Sequence, residues 1–164
     1  MKLLKILSKL LPVFFVLSFV VSKTMAQQID RVLFYKAMAS KSVEEVDQQI
    51  AAVKQNASAE KEAFEGALLM KKADLVKPKK EKLKLFKEGR EKLEKMINKQ
   101  SKNAEYRFLR LQIQENAPKI LGYKKELDDD KKLIISLYNS LSPELKQYIL
   151  DYSKQSEILM QADL

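Results

Sequence analysis

Cysteine, histidine and tryptophan are absent from the 164-residue chain. Without cysteine there is no disulfide to stabilise the protein in an oxidising compartment, so a hydrophobic core must do so. Without histidine or cysteine, zinc, copper and iron–sulfur sites lack their usual ligands, and we expect neither a metal nor a cofactor. The lack of histidine also removes the commonest general base and the serine triad, which argues against an enzyme.

Glycine and proline are scarce, with three glycines and four prolines in the whole chain. So few helix breakers, together with abundant alanine, leucine, lysine, glutamate and glutamine, favour helix throughout. No stretch alternates apolar and polar residues for long enough to predict a strand. We therefore expect an all-α fold, a bundle of about six antiparallel helices joined by short connections.

Breaks between the apolar stripes give the expected limits of the helices. Ser42 and Glu45 form a capping box that opens the second helix, and Pro78 ends the third because the residue before a proline avoids helical angles. Ser142 and Pro143 fit a capping residue followed by proline at the first helical position. The predicted helices cover residues 29–39, 43–54, 59–75, 79–99, 104–115, 126–141 and 143–160.

Residues 1–26 have the pattern of an export signal. A short lysine-containing start precedes the apolar run 10–21, which is too short for a membrane-spanning helix of roughly 20 residues. Thr24 and Ala26 are the small residues expected before a cleavage site, so we predict cleavage after Ala26 and a single domain over residues 27–164. No later segment is apolar enough to span a bilayer. We expect an exported bacterial protein, in the periplasm or secreted.

Charge is spread along most of the chain. The formal net charge is +9, and it falls to +5 in the mature chain because four lysines and no acids lie in the predicted signal. Interleaved charges are typical of exposed helix faces, whereas nucleic-acid binders concentrate basic residues on one face, so we expect no nucleic-acid partner. The exception is a basic patch made of Lys77, Lys79, Lys80, Lys82, Lys84 and Lys87. We interpret it as a solvated surface, with weak contact to anionic envelope surfaces or an acidic partner as the alternative.

Two of the four arginines lie one turn apart in the most apolar predicted helix. These are Arg107 and Arg110, with Gln114 near the same face. A planar guanidinium group binds carboxylates in a bidentate manner and tolerates partial burial. Two interpretations stay open. The arginines either pair with internal acids such as Glu94 or Glu105 and fix helix packing, or line a binding pocket for a ligand carboxylate such as a peptide C-terminus.

Three consecutive acids, Asp128, Asp129 and Asp130, stand at the start of a predicted helix. Carboxylates are favoured there by the helix dipole. They lack the spacing of a calcium-binding loop. We interpret all three as a solvated helix start, with a weak cation or partner contact as the alternative.

Gly66 and Gly89 fall inside predicted helices, where each costs about 1 kcal/mol relative to alanine. Gly89 shares an apolar stripe with Phe86 and Leu93. We therefore expect these glycines to serve helix packing, with a second helix crossing closely at Gly89; a tolerated weak spot is the alternative.

Around Gly89 the chain resembles the second helix and turn of a tetratricopeptide repeat. The spacing of small, large and turn residues is carried by Gly89, Leu93, Met96, Ser101, Lys102 and Asn103, and residues 104–107 look like the opening of a further repeat. Met96, Ser101 and Arg107 depart from the family's pattern, and the resemblance covers residues 59–115 at most. It implies repeat-like helical hairpins with a concave surface. More loosely, the signal, residues 105–123 and the helical tail resemble small exported proteins of Gram-negative bacteria with no assigned function.

These features predict a non-enzymatic periplasmic adaptor or scaffold that binds a protein partner. The second hypothesis is a holdase-type chaperone for exported proteins, because the chain is basic, contains methionine and lacks cysteine. An adaptor would be monomeric with one specific partner, whereas a holdase would oligomerise and protect several unrelated clients. An enzyme that uses paired carboxylates is the least favoured class.

Overall fold

The computed structural model describes residues 28–164, and the predicted signal peptide lies outside the described residues. Within this range every regular element is helical, which confirms the all-α prediction, and the seven α-helices correspond one for one to the seven predicted ranges of the expected bundle of about six helices. They are α1 (Arg31–Ala39), α2 (Val43–Gln55), α3 (Lys61–Leu75), α4 (Lys79–Lys99), α5 (Ala104–Asn116), α6 (Leu127–Leu137) and α7 (Pro143–Ser153), with 3-10 turns at Lys119–Leu121, Tyr138–Ser140 and Gln161–Asp163. Over the same residues, no helix combines the length and apolarity needed to cross a membrane.

Four helices begin with a side chain that accepts a hydrogen bond from the first turn. Asp30 caps α1, Ser42 caps α2, Asn103 caps α5 and Ser142 caps α7. The cap expected at Ser42 is confirmed by the bond from the Glu45 N–H to its hydroxyl, at 3.3 Å. The second half of the expected capping box differs, because the Glu45 carboxylate accepts from the Ser40 hydroxyl at 2.5 Å. Ser40 in turn accepts from the Ser42 N–H at 2.9 Å, so the same donor is satisfied by another route.

Helix α3 occupies the centre of the fold. Its residues 63–70 are buried without a break, and it contacts α1, α2, α4 and α5. Phe64 is fully buried and makes edge-to-face contacts with Phe34 of α1 and Tyr106 of α5. Such aromatic pairs add about 0.5–1.5 kcal/mol to the burial of their area. The continuous apolar surface of α3 therefore organises the other helices around it.

Helices α3 and α4 form an antiparallel hairpin whose backbones meet at two glycines. A Cβ atom built on Gly66 would lie 2.6 Å from the carbonyl oxygen of Gly89, and one on Gly89 would lie 2.5 Å from the carbonyl oxygen of Gly66. Any side chain at either position would collide with the backbone of the other helix. The two glycines therefore stand where the helix axes approach most closely.

Two predicted helices end earlier than expected. The predicted helix 126–141 gives way to a 3-10 turn after Leu137, and the predicted helix 143–160 ends at Ser153. The second difference has a clear cause in the carboxylate of Glu115 on α5. That group accepts hydrogen bonds from the Ser156 hydroxyl and the Glu157 N–H, both at 2.7 Å, and draws the chain away from a helical path. Leu159 is then fully buried in the core.

Candidate binding site

A groove of about 1040 Å³ opens between α1, the end of α3, the start of α4, the end of α5 and α7. Small-molecule pockets usually measure about 300–1,000 Å³, so this volume suits a ligand at or above the upper end of that range. Its lining is mostly apolar, and includes Val32, Tyr35, Met38, Ala39, Met70, Ala73, Leu83, Phe86, Ile113, Ala117, Pro118, Ile120, Leu121, Tyr148 and Tyr152.

The chain after α5 builds one wall of the groove. Pro118 prevents α5 from continuing, and the 3-10 turn Lys119–Leu121 follows at once. This turn leaves Ile120 93% exposed. Gly122 then adopts a φ of +59°, a left-handed conformation that glycine reaches without steric cost, and Tyr123 returns to the core. The local sequence thus presents one large aliphatic side chain to solvent.

Exposed apolar side chains concentrate at the groove. Five large hydrophobic residues of the described chain are exposed, and three of them, Val32, Leu83 and Ile120, line it. Single exposed hydrophobic residues are ordinary, but a contiguous apolar surface on a small protein marks an interaction site. This concentration of apolar surface makes the groove the strongest candidate for a binding site.

The floor of the groove combines a rigid part with an adaptable one. The Tyr35 and Tyr148 rings stack with centroids 4.1 Å apart, and the Tyr35 hydroxyl donates to Glu105 at 3.2 Å. Burial raises the pKa of Tyr35 well above its usual value, so the hydroxyl keeps its proton. Met38 and Met70 add flexible, polarisable side chains that can adjust to the shape of a ligand.

Five lysines surround this apolar surface, namely Lys36, Lys41, Lys71, Lys79 and Lys82. None of the ion pairs found among the described residues involves any of the five. Partial burial lowers the pKa of Lys71, and the nearby Lys41 lowers it further, against the opposing effect of Asp74. An anionic group bound beside Lys71 would stabilise its charge and so offset the cost of desolvation and the repulsion of Lys41.

Two of the three carboxylates that line the groove are engaged within the protein, and the third, Asp74, acts on Lys71. Glu115 accepts from the hydroxyls of Tyr152 and Ser156, and Asp151 accepts from Lys154 and from the Gln147 amide. Their charges are therefore partly compensated before any ligand arrives. Together with the lysines, this leaves the groove able to bury apolar surface and to neutralise negative charge at its margin.

The basic patch expected from the sequence only partly coincides with the groove. Lys79 and Lys82 line it, and the Lys82 ammonium donates to the Asp74 carbonyl at 3.1 Å. The remaining members of the patch lie outside the groove lining and are exposed: Lys77, Lys80, Lys84 and Lys87. The patch is therefore divided between the margin of the groove and the exposed surface outside it.

Arg107, Arg110 and Gln114 do not line the groove. Arg110 is buried and donates to Glu94 at 2.8 Å and, through two nitrogens, to both carboxylate oxygens of Asp130 at 2.7 Å. Arg107 donates to the same carboxylate at 2.8 Å. The pair with Glu94 matches one of the internal partners expected from the sequence. A carboxylate ligand would have to displace these acids, so the arginines hold α4, α5 and α6 together.

Two partners in this arrangement differ from expectation. Glu105 does not pair with Arg107 or Arg110, because it binds Arg31 at 3.0 Å instead. Asp130 is fully buried between the two arginines, so the interpretation of all three aspartates as a solvated helix start is wrong at this position. Asp128 and Asp129 are exposed in the first turn of α6, as expected.

Gln114 is also buried within the protein. It has no solvent exposure, and its amide donates to Glu126 at 2.8 Å. This bond links α5 to the residue immediately before α6. The glutamine therefore belongs to the same group of buried polar contacts as Arg110.

The role of Arg31 was not predicted from the sequence. Arg31 binds Glu60 through two nitrogens at 2.7 and 2.9 Å, pairs with Glu105 and lies 4.6 Å from the centroid of the Phe64 ring. It thereby connects the start of α1 to α3 and α5. The only signal in the sequence was the rarity of arginine itself; the remaining one, Arg90, is exposed and lies 4.7 Å from the centroid of the Tyr123 ring.

Comparison with family models, with curated proteins and with solved structures found no match to this chain. Among residues 28–164, no cluster of three or more carboxylate, histidine or cysteine side chains has the geometry to hold a metal ion.

Proposed function

We propose that this chain is a non-enzymatic exported helical protein that binds a protein partner in the periplasm and acts there as an adaptor or scaffold. The observation that carries this proposal is the groove, where Val32, Leu83 and Ile120 stay exposed over a mostly apolar floor. Burial of such surface contributes about 25 cal/mol per Å² of apolar area, which is the main favourable term in most protein associations. The α3–α4 hairpin, with its close glycine crossing, supports a degenerate tetratricopeptide-like unit within this adaptor.

The second candidate is a holdase chaperone, and one feature of the groove favours it. Met38 and Met70 lie in its lining, and methionine-containing surfaces can repack against many different clients. The two functions differ in partner number and in oligomeric state. A monomer that captures one protein supports the adaptor, and an oligomer that suppresses the aggregation of several unrelated unfolded proteins supports the holdase.

The test compares two double variants of the full chain carrying a C-terminal tag. Leu83→Asp with Ile120→Asp places two charges in the groove, whereas Leu33→Asp with Met160→Asp places them at exposed apolar positions outside it. We expect the groove variant to lose capture of a specific envelope protein and the outer variant to retain it, both with unchanged helicity by circular dichroism. Equal capture by both variants would contradict binding through the groove.

Export itself is tested by the mass of the protein recovered from cells. We expect cleavage after Ala26, so the protein recovered from the periplasm should begin at Gln27. An intact precursor, or recovery from the cytoplasm alone, would contradict this part of the proposal.

A further inference from the structure

None of the five lysines at the margin of the groove forms an ion pair among the described residues. Resting on the proposed function above, we propose that the groove takes an amphipathic helical segment of a partner protein whose flanks are acidic. The apolar face of that helix packs on the groove floor. Its carboxylates lie against the lysines on either side of the α3–α4 turn.

Charge complementarity is the first argument for this occupant. The lysines that line the groove come from the end of α1 and the residues just after it, from the end of α3 and from the start of α4. Burial lowers the pKa of Lys71, Asp74 opposes this effect, and the repulsion of Lys41 adds to it. Acidic side chains on a partner would offset that repulsion, and complementary charge accelerates association and fixes the orientation of binding.

The surroundings of the groove favour a helix over an extended peptide. Its walls are five helical segments, and the described residues contain no strand edge on which a peptide could extend a sheet. An amphipathic helix lying in an apolar groove between helices is an established recognition mode, with anchors spaced three and four residues apart. The exposed Leu83 and Ile120 can then pack against such anchors.

Polar groups in the lining favour a peptide over the acyl chain of a lipid. Gln112, Asn116 and Gln155 line the groove together with its apolar residues. The Gln112 Oε1 atom is buried and has no hydrogen-bond donor among the described residues. A buried acceptor without a partner costs about 1–3 kcal/mol, and a polar side chain of a helical peptide can supply a donor after rotation of the Gln112 side chain, whereas an acyl chain cannot.

The experiment measures the binding of two labelled peptides to the full chain by fluorescence anisotropy. Each peptide is an amphipathic helix of about 18 residues with leucines three and four residues apart, and the two differ only in carrying glutamate or lysine on the flanks. We expect the glutamate peptide to bind at least about tenfold more tightly at low salt, and the difference to shrink as salt is added.

The lysines of α4 offer a matched pair of variants. Lys79→Glu with Lys82→Glu reverses two charges at the groove, and Lys80→Glu with Lys84→Glu reverses two on the same helix outside its lining. We expect the first variant to bind the glutamate peptide about tenfold more weakly and the lysine peptide more tightly than the unchanged protein does. The second variant should change both affinities by less than about threefold. The gain of affinity for the lysine peptide excludes misfolding as the cause.

Two outcomes would overturn the proposal while leaving groove binding intact. The first is that the Leu83→Asp and Ile120→Asp variant loses partner capture, but the unchanged protein binds the glutamate and lysine peptides equally well. The second is that neither peptide binds, whereas a labelled fatty acid does bind and its affinity falls in the Lys79→Glu and Lys82→Glu variant. Partner capture that does not respond to the Leu83→Asp and Ile120→Asp variant would instead show that the proposed function itself has failed.

Discussion

Arginine and lysine have different positions in this protein. Arg31, Arg107 and Arg110 form ion pairs with acids on other helices, and Arg90 packs over a tyrosine ring. The lysines lie mostly on the surface, including those around the groove. The guanidinium group is more weakly hydrated than an ammonium and can bind two acceptors at once, so it is the better group for partly buried pairs. Three of the four arginines therefore mark internal contacts between elements of the fold.

Asp130 is the residue on which two of these arginines depend. In Asp130→Ala, the guanidinium of Arg107 loses its carboxylate and the buried Arg110 keeps only Glu94. Removing one member of a buried ion pair leaves an uncompensated charge, so we expect a loss of about 3–5 kcal/mol in the free energy of unfolding. Urea denaturation followed by circular dichroism measures it.

The matched control is Asp128→Ala, in the same turn of α6 but exposed. It should lose less than about 1 kcal/mol, since only the interaction with the helix dipole is removed. Similar losses in the two variants would show that the ion pairs of Asp130 contribute little beyond their position at a helix start.

The position of Asp130 in the helical pattern indicates that it is buried, although its charge favours an exposed position. Leu127, Asp130 and Ile134 are spaced three and four residues apart, which places the aspartate on the apolar face of α6. An acid on such a face is buried only when it has a partner, and both Arg107 and Arg110 lie on the preceding helix. The identity of the partner could not be predicted, because it depends on how α5 and α6 pack.

At the scale of the helices, sequence patterns predicted most boundaries to within about two residues, which is the usual uncertainty at helix ends. Prolines and capping residues act locally, so they can be recognised without the fold. The end of α7 could not be predicted in this way. It is set by Glu115, whose bond to Ser156 joins residues 41 positions apart. The helical pattern of residues 154–160 was present, but a tertiary contact prevailed over it.

The α3–α4 crossing gives a prediction at the same scale. Gly66→Ala and Gly89→Ala would each gain about 1 kcal/mol in helix propensity, but each new methyl group would meet a backbone carbonyl at 2.6 or 2.5 Å. Because backbone cannot move aside as a side chain can, we expect the collision to dominate and each variant to lose about 1–3 kcal/mol net. Thermal and urea unfolding give the values.

Glu91→Ala, at an exposed position of α4, is the control for helix propensity alone and should stay within about 0.5 kcal/mol. A stabilised Gly89→Ala variant would mean that the two helices separate easily, and that the glycines do not determine their approach.

At the scale of the whole molecule, the groove is the feature that sequence reasoning did not find. Its exposed apolar residues Val32, Leu83 and Ile120 come from three distant parts of the chain. Each alone is an ordinary surface hydrophobic residue, and only packing brings them together. The lysines Lys79 and Lys82 were identified as part of a basic patch, but their neighbours across the groove were not.

The buried tyrosines make the free energy of unfolding depend on pH. Burial raises the pKa of Tyr106 to about 12, and it also raises the pKa values of Tyr35, Tyr123 and Tyr152 above their ordinary range. Hydrogen bonds to Glu94 and Glu115 add to the effect at Tyr123 and Tyr152. In the unfolded chain a tyrosine ionises near pH 10. The native state therefore retains protons that the unfolded state releases.

This difference predicts alkaline unfolding. As pH rises above about 10 the unfolded state binds fewer protons than the native state, so the free energy of unfolding must fall, by up to about 1.4 kcal/mol per pH unit for each such tyrosine. The stabilisation is complete below pH 10 and, for Tyr106, is lost towards pH 12. Urea unfolding at several pH values measures the slope, and tyrosinate absorbance should rise together with the loss of helix. Tyr106→Phe should reduce the slope. Tyrosinate that forms in a chain still fully helical would contradict the burial of these hydroxyls.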